Sequence, residues 1–414
     1  MRVFFDDSQF DFQTLRLLGS AGSGDAEAGE VLSTSARITA GDYESWTAQW
    51  LATARRVHRV ARECRERGHM VSAVQAYLRA ANYYRTAEFY LHGDPADPRI
   101  RRLSRDARSC FRAALALGQR DVETLAVPYE GTTLPGYYYP ASRTSGPAAT
   151  LVAHTGFDGT QEELRAIATA ANARGMHCVT FEGPGQGAVV REQGLPFRPD
   201  WEAVVTPVLD HVLTLPGVDP GRIALLGLSF GGYLAPRAAA FEHRLSACVA
   251  NGGVFDFMAN NLPDGMTREA AAAWIRDEPE AANELIRGLM AKSTDTRWAV
   301  QNGMFTFGST SPADWFLAAL DYTLKGVAGQ IRCPVLVIDT EAEHAFAGQA
   351  PALYEALTCE KNFLLFTAEE GAEDHCQVGS PMLSAQRTFD WLEETLSRTP
   401  ATSGRMSPGE GTGQ

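Results

Sequence analysis

Apolar positions recur at helical spacing between about residues 42 and 117. Trp46, Trp50, Leu51, Ala54 and Val57 fall on one helix face. Residues 71–91, rich in Ala, Tyr and Phe, predict a second helix, and residues 103–117, after Pro98, a third. Residues 1–40 are mixed. A short apolar patch at 10–18 precedes a Gly/Ser/Ala stretch at 19–29 that reads as a loop. Tyr77 with Ala80 and Ala81 recurs 34 positions later as Phe111 with Ala113 and Ala114, the period of tetratricopeptide helix pairs. Two units are too few for a solenoid, so an ordinary helical bundle is expected.

After Gln119 the period changes. A hairpin is predicted at 124–129 and 136–140, then strands at 150–154, 177–181, 222–228 and 245–251. Between them, helices are predicted at 160–173, 201–215 and 230–241. Residues 256–330 break the alternation with helix-like segments and read as an insertion. Alternation returns with strands at 334–338 and 362–366 and helices near 349–357 and 384–396. This order predicts an α/β chain with a mostly parallel sheet covered on both faces. A helical domain is expected over 1–120 and a second domain over 121–397. The Ser/Thr/Gly/Pro-rich end, 398–414, is expected to fray.

Composition narrows the function. The 414 residues carry 37 Lys plus Arg against 50 Asp plus Glu, a formal charge of −13. That balance disfavours nucleic acid, which needs a basic stripe, and anionic membranes. No apolar run of bilayer length occurs, and the acidic start Met1–Asp7 has no signal-peptide core. The seven scattered cysteines form no CxxC pair, which points to reduced thiols and a cytoplasmic setting. No metal-ligand spacing appears, and neither metal nor cofactor is expected.

The sharpest motif is Gly227-Leu228-Ser229-Phe230-Gly231-Gly232, after a predicted strand and opening a predicted helix. That is the context of a nucleophile elbow, in which a tight turn thrusts the serine hydroxyl clear of the sheet. Serine needs a base, and the base an orienting acid. His375, between the last strand and last helix, is the candidate base. The acid is sought just after strand 334–338, where Glu343 is favoured over Asp339 and Glu341. One oxyanion donor is expected at Phe230 N–H; the other falls in Thr155-Gly156-Phe157-Asp158-Gly159, at Phe157 or Asp158. Glu162 and Glu163 either favour the dipole of the helix they open or face the pocket to handle a substrate proton. Gly183-Pro184-Gly185-Gln186-Gly187 lacks the P-loop ending and reads as a structural turn beside the pocket.

Together these motifs, with Phe181-Glu182, Ala235-Pro236-Arg237, Cys333-Pro334-Val335 and the segment 371–377, resemble the α/β-hydrolase superfamily. The branch they are most similar to holds the FrsA-like esterases, 2,6-dihydroxypseudooxynicotine hydrolase and fungal polyketide-shortening hydrolases. The resemblance implies an α/β-hydrolase fold whose N-terminal helical domain is a cap over the active site, and a triad of Ser229, Glu343 and His375. It implies aspartate in the acid slot, where this chain has Glu343, so Asp339 stays the alternative. The expected activity is serine hydrolysis of an ester, thioester or ketone-type acyl substrate, with Phe230 and Phe157 as oxyanion donors. Carbon–carbon cleavage, acyl transfer or elimination in secondary metabolism is the first alternative, and an inactive binding protein the second. The expected partner is a small acyl substrate; a homodimer stays open. The cap aromatics Trp46, Trp50, Tyr77, Tyr83, Tyr84, Phe89 and Tyr90 suggest either an apolar acyl pocket or simply cap core.

Overall fold

The computed structural model describes residues 1–118, 121–141, 146–263 and 265–398, so nearly all of the tail expected to fray lies outside the described residues. The chain opens with five helices: α1 (Ser8–Gly19), α2 (Ala28–Ser35), α3 (Tyr43–Glu66), α4 (Met70–Glu88) and α5 (Pro98–Gly118). Asp42 caps α3 by accepting from the amides of Glu44 and Ser45. α5 begins at Pro98 itself, five residues before the predicted start, because proline suits the first helical position, where no N–H partner exists. The stretch 19–29 is more ordered than a loop. It holds a 3₁₀ turn, Ser20–Ser23, and the start of α2. Side chains explain this: Ser23 Oγ bonds Asp25, Asn82 donates to Ser20 Oγ, and Arg165 grips Asp25.

Eight strands follow: β1 (Glu123–Tyr129), β2 (Thr132–Tyr139), β3 (Ala148–His154), β4 (His177–Phe181), β5 (Val218–Leu228), β6 (Ala247–Asn251), β7 (Val335–Thr340) and β8 (Lys361–Phe366). They form one sheet in the order β1-β2-β4-β3-β5-β6-β7-β8. β1 and β2 are antiparallel to each other and β2 to β4; the remaining pairs are parallel. The helices between them are α6 (Arg165–Ala173), α7 (Glu202–Val212) and α8 (Gly231–Ala239). After β6 the insertion supplies α9 (Arg268–Asp277), α10 (Pro279–Met290), α11 (Thr294–Phe307) and α12 (Pro312–Ala319). Then come α13 (Gln349–Ala356) and α14 (Pro381–Ser397).

Strand residues alternate between two cores. Val152 and Leu225 face the layer of α7, α8 and the insertion. Leu151, Ala153 and Leu226 face the layer of α6, α14 and the N-terminal helices. Every residue of β3, β4 and β6 is buried, as expected of strands covered on both faces. The carboxyl ends of β3, β5, β6 and β7 open onto a crevice roofed by α1, α4 and α5, where ligands of open α/β sheets bind. No helix among the described residues is long and apolar enough to cross a membrane.

Candidate active site

The turn between β5 and α8 forces Ser229 into a left-handed backbone conformation, φ 62°. A non-glycine residue there is strained, and such strain persists only where neighbours over-determine it. Ser229 N–H donates to Asn251 O at 2.8 Å and Ser229 O accepts from Gly232 N at 2.7 Å. Gly227 permits the tight crossing, since a Cβ there would lie 2.0 Å from Gly231 O.

The hydroxyl so presented meets His375. Ser229 Oγ lies 2.9 Å from His375 Nε2, and His375 Nδ1 lies 2.6 Å from Glu343 Oε2. The other Glu343 oxygen accepts from the amides of Ala345 and Phe346 at 2.8 and 3.1 Å. Burial opposes ionisation of Glu343, but His375 and these amides outweigh it and hold the carboxyl down at about 2. For His375 burial again opposes the charged form. Cys376 and Glu343 overcome it and raise the imidazole well above its ordinary value. Asp339 instead accepts from the adjacent Thr340 amide, and Glu341 from Ala368 N–H. Neither joins the serine–histidine line.

The histidine loop is pinned by a feature that motif reading missed. Gln377 exchanges two hydrogen bonds with Asn251, at the end of β6, at 2.9 and 3.2 Å, and accepts a third from Ser384. Cys376 Sγ stands 3.4 Å from His375 Nε2.

The loop after β3 packs on the elbow. A Cβ on Gly156 would lie 2.5 Å from Phe230 N, so only glycine allows this approach. The amides of Phe230 and Phe157 find no backbone acceptor among the described residues. Asp158 is held by Arg16 at 2.8 Å. Glu163 serves the fold: it completes a capping box with Thr160 and pairs with Arg16 at 2.7 Å and Arg85 at 3.0 Å. Glu162 differs. Tyr137 donates to its Oε1 at 3.1 Å, while burial and then the nearby Glu182 carboxylate push it up to about 7. The 183–187 segment is a structural turn. Its Gln186 side chain bonds Gly183 N–H and Thr155 O, and Glu182 accepts from Gln161 and Ala188 amides.

Ser229, His375, Phe157, Glu162 and Glu163 all line one cavity of about 320 Å³. The cap aromatics do not. Trp46, Trp50, Tyr77, Tyr83, Tyr84, Phe89 and Tyr90 are buried cap core: Trp46, Trp50, Tyr83, Phe89 and Tyr90 pack among themselves and on Phe5, Phe10 and Tyr43, and Tyr77 and Tyr84 pack on His58. The aromatic wall is Phe12, Phe111, Phe157, Trp298, Phe346 and Phe389. The seven cap rings pack inward because the helices bury their widest apolar stripe against each other. No group of three His, Cys, Asp or Glu among the described residues could hold a metal ion.

The family profile described as Esterase FrsA-like matches residues 26–265, and that of the alpha/beta hydrolase family residues 150–391. The chain belongs to the FrsA-like branch of the α/β hydrolases. The hydrolase is 35% identical to a hydrolase named LUC6 from a Fusarium species, over 96% of this chain and 98% of that one. It is 34% identical to the 20-hydroxy-prefusarin hydrolase FUS2 of Gibberella moniliformis, over 96% and 99%. Its fold matches the crystal structure of the 2,6-dihydroxy-pseudo-oxynicotine hydrolase with a TM-score of 0.72 at 21% identity, covering 93% of this chain and 98% of that chain.

Proposed function

We propose that this hydrolase is a serine hydrolase acting on an acyl substrate through a covalent acyl-enzyme. Ser229 Oγ attacks the carbonyl carbon as His375 Nε2 takes the hydroxyl proton. Glu343 fixes the imidazole so that Nε2 faces the serine, and stabilises the imidazolium that forms. Phe230 and Phe157 N–H groups receive the oxyanion. His375 then returns its proton to the leaving group, and water, deprotonated by the same imidazole, releases the acid. The observation that carries this reading is the unbroken line Ser229–His375–Glu343 at 2.9 and 2.6 Å, opening into a cavity with an aromatic wall. The test is labelling by a fluorophosphonate: wild type is expected to react, and Ser229→Ala to stay unmodified. Wild-type protein that does not react sinks the reading.

Glu162 favours a second reading, cleavage of a carbon–carbon bond in a β-diketone-type substrate. There the group leaving the tetrahedral intermediate is a carbanion or enolate, which needs a proton on carbon. A cavity carboxyl pushed up to about 7 keeps a substantial share of its acid form at neutrality and can give it. Glu162→Gln is expected to slow β-diketone cleavage by about 10²-fold, the usual contribution of one acid–base group, and more than it slows ester hydrolysis. In deuterated water the ketone product should carry solvent deuterium on carbon. Absence of that label removes the second reading and leaves the first.

A further inference from the structure

Three carbonyls of the loop beside the elbow are each taken by a buried side-chain donor. Gln186 Nε2 donates to Thr155 O at 2.6 Å and reaches Gly156 O at 3.4 Å. Asn302 Nδ2 donates to Phe157 O at 3.0 Å. In a trans peptide the N–H points opposite to the C=O. Turning the Gly156 and Phe157 carbonyls toward Gln186 and Asn302 therefore turns the Phe157 and Asp158 amides the other way.

Asn302 is itself the end of a chain of hydrogen bonds. Its Oδ1 lies 2.7 Å from His92 Nδ1, and His92 Nε2 lies 2.8 Å from Glu88 Oε1. Arg191 clamps Glu88 with two bonds, at 2.7 and 2.9 Å, and donates to Gly187 O at 3.1 Å. Glu88, His92, Arg191 and Asn302 are at most 6% exposed. The Phe305 ring stacks on His92 at 4.4 Å. Phe157 O can only accept, so the Asn302 amide has one orientation: Nδ2 to Phe157, Oδ1 to His92. His92 then donates from Nδ1 to Asn302. Burying four polar side chains is costly unless each is bonded, and here each is. The members come from α4, the turn after it, the 189–193 turn and the insertion helix α11. Through Asn302 they reach the loop holding Phe157, and through Arg191 the 183–187 turn beside it.

We propose that Asn302, held by the Arg191–Glu88–His92 chain, is a positioning residue that anchors the Phe157 carbonyl and so holds in place the loop whose Phe157 N–H receives the oxyanion, and that the N-terminal helices thereby tune the chemical step. This rests on the serine-hydrolase reading above. Such a residue acts on the tetrahedral state and not on substrate entry into the cavity. Its loss should lower the rate constant and spare binding.

The experiment is the kinetics of fluorophosphonate labelling, in which Ser229 Oγ displaces fluoride from phosphorus through a state whose phosphoryl oxygen gains negative charge at the oxyanion position, and which separates initial binding, KI, from the covalent step, kinact. Asn302→Asp keeps the shape and replaces the donor to Phe157 O with an acceptor. It is expected to lower kinact by about 10²-fold, the effect of an ~1 Å misplacement, with KI unchanged. His92→Phe keeps the stack on Phe305, removes both hydrogen bonds, and should lower kinact in the same direction by less. Thermal melts are run on both variants; if Asn302→Asp does not fold, His92→Phe and Asn302→Ala carry the test. A folded variant with wild-type kinact, or a loss confined to KI, overturns the proposal. Failure of wild type itself to label at Ser229 sinks the underlying reading instead, so the two failures are distinguishable.

Discussion

At the scale of single residues, the site is a contest between burial and partners. Glu343 and His375 are both deep enough that burial alone would neutralise them, and each is kept ionisable by the other. In the proposed mechanism the base form of His375 is the one that accepts the Ser229 proton. Because the folded imidazole is raised above 6.5, the acid limb of kcat/KM should lie above that value. Glu343→Gln removes the carboxylate that favours the imidazolium, so the limb should move to lower pH. The plateau should fall by about 10⁴-fold, as when the acid of such a triad becomes an amide. Linkage gives an independent check. The depressed Glu343 contributes stability above its ordinary 4.5, lost as pH falls through about 2. The raised His375 contributes below 6.5, lost as pH rises through its elevated folded value. The melting-temperature gap between wild type and Glu343→Gln should therefore be widest between 4.5 and 6.5. A gap independent of pH would mean that the carboxylate does not interact with the charged ring. The juxtaposition of Ser229, His375 and Glu343 was readable in the chain, because an elbow is a local pattern of six residues and the candidate histidine and carboxylate follow strands that end at the same edge of the sheet. The choice of Glu343 over Asp339 follows from position: Asp339 is still in β7, whereas Glu343 is four residues on, where the chain can turn back toward His375.

At the scale of elements, α1 is where sequence and structure part. Its apolar positions marked a patch and nothing more, yet it supplies Phe12 and Arg16 to the cavity. Periodicity shows that a helix has an apolar face and is silent on which neighbour that face meets. For the same reason the seven cap aromatics could not be divided between pocket and core from the chain alone. Strands were more legible. β4 occupies the predicted 177–181, because a short apolar run between Gly175-Met176 and Gly183-Pro184 admits little else. Asn302 gave no local signal at all, lying 210 positions from His92 and 145 from Phe157. The consequence for α1 is energetic as well as chemical. Arg16 is the cation shared by Asp158 and Glu163, at 2.8 and 2.7 Å. Arg85, the other cation, reaches Asp158 only at 3.8 Å. Arg16→Met should destabilise the protein by about 3–5 kcal/mol at neutral pH, the cost of stranding a buried charge. Burial opposes the charge on Asp158, and Arg16 holds its carboxyl below the usual value. Without Arg16, acidification can relieve the stranded charge by protonation. The deficit measured by urea melts should thus shrink between pH 7 and pH 4; a deficit unchanged over that range would place its origin in packing and not in charge.

At the scale of the whole molecule, the question is whether the N-terminal helices are a lid or a wall. A lid would carry its own core and meet the rest through a polar seam. Here one contiguous core runs from Phe10, Trp46 and Tyr83 through Tyr137, Leu151 and Leu226 to Phe389 and Leu392. Tyr137, Leu151 and Leu226 lie on the sheet itself, so the helices over 8–118 help to cover one face of it. Polar ties cross the same boundary: Arg165 to Asp25, Arg191 to Glu88, Arg16 to Asp158. Stripping the helices would expose Tyr137, Leu151 and Leu226 and strand the partners of those ion pairs. A chain beginning at residue 121 is therefore expected to aggregate. In the intact protein the two parts should open together. Hydrogen exchange followed by mass spectrometry in rising urea reads this directly, because peptides from α3 and α4 report on the cap and those from β3 and β5 on the sheet. Equal opening free energies and parallel denaturant slopes in both sets are expected. If the cap peptides exchanged at markedly lower urea while the sheet stayed protected, the shared core would be too weak to couple the layers. Coupling of this kind would also keep the Glu88–His92–Asn302 chain taut, since its members belong to both sides and either side opening alone would release the Phe157 loop.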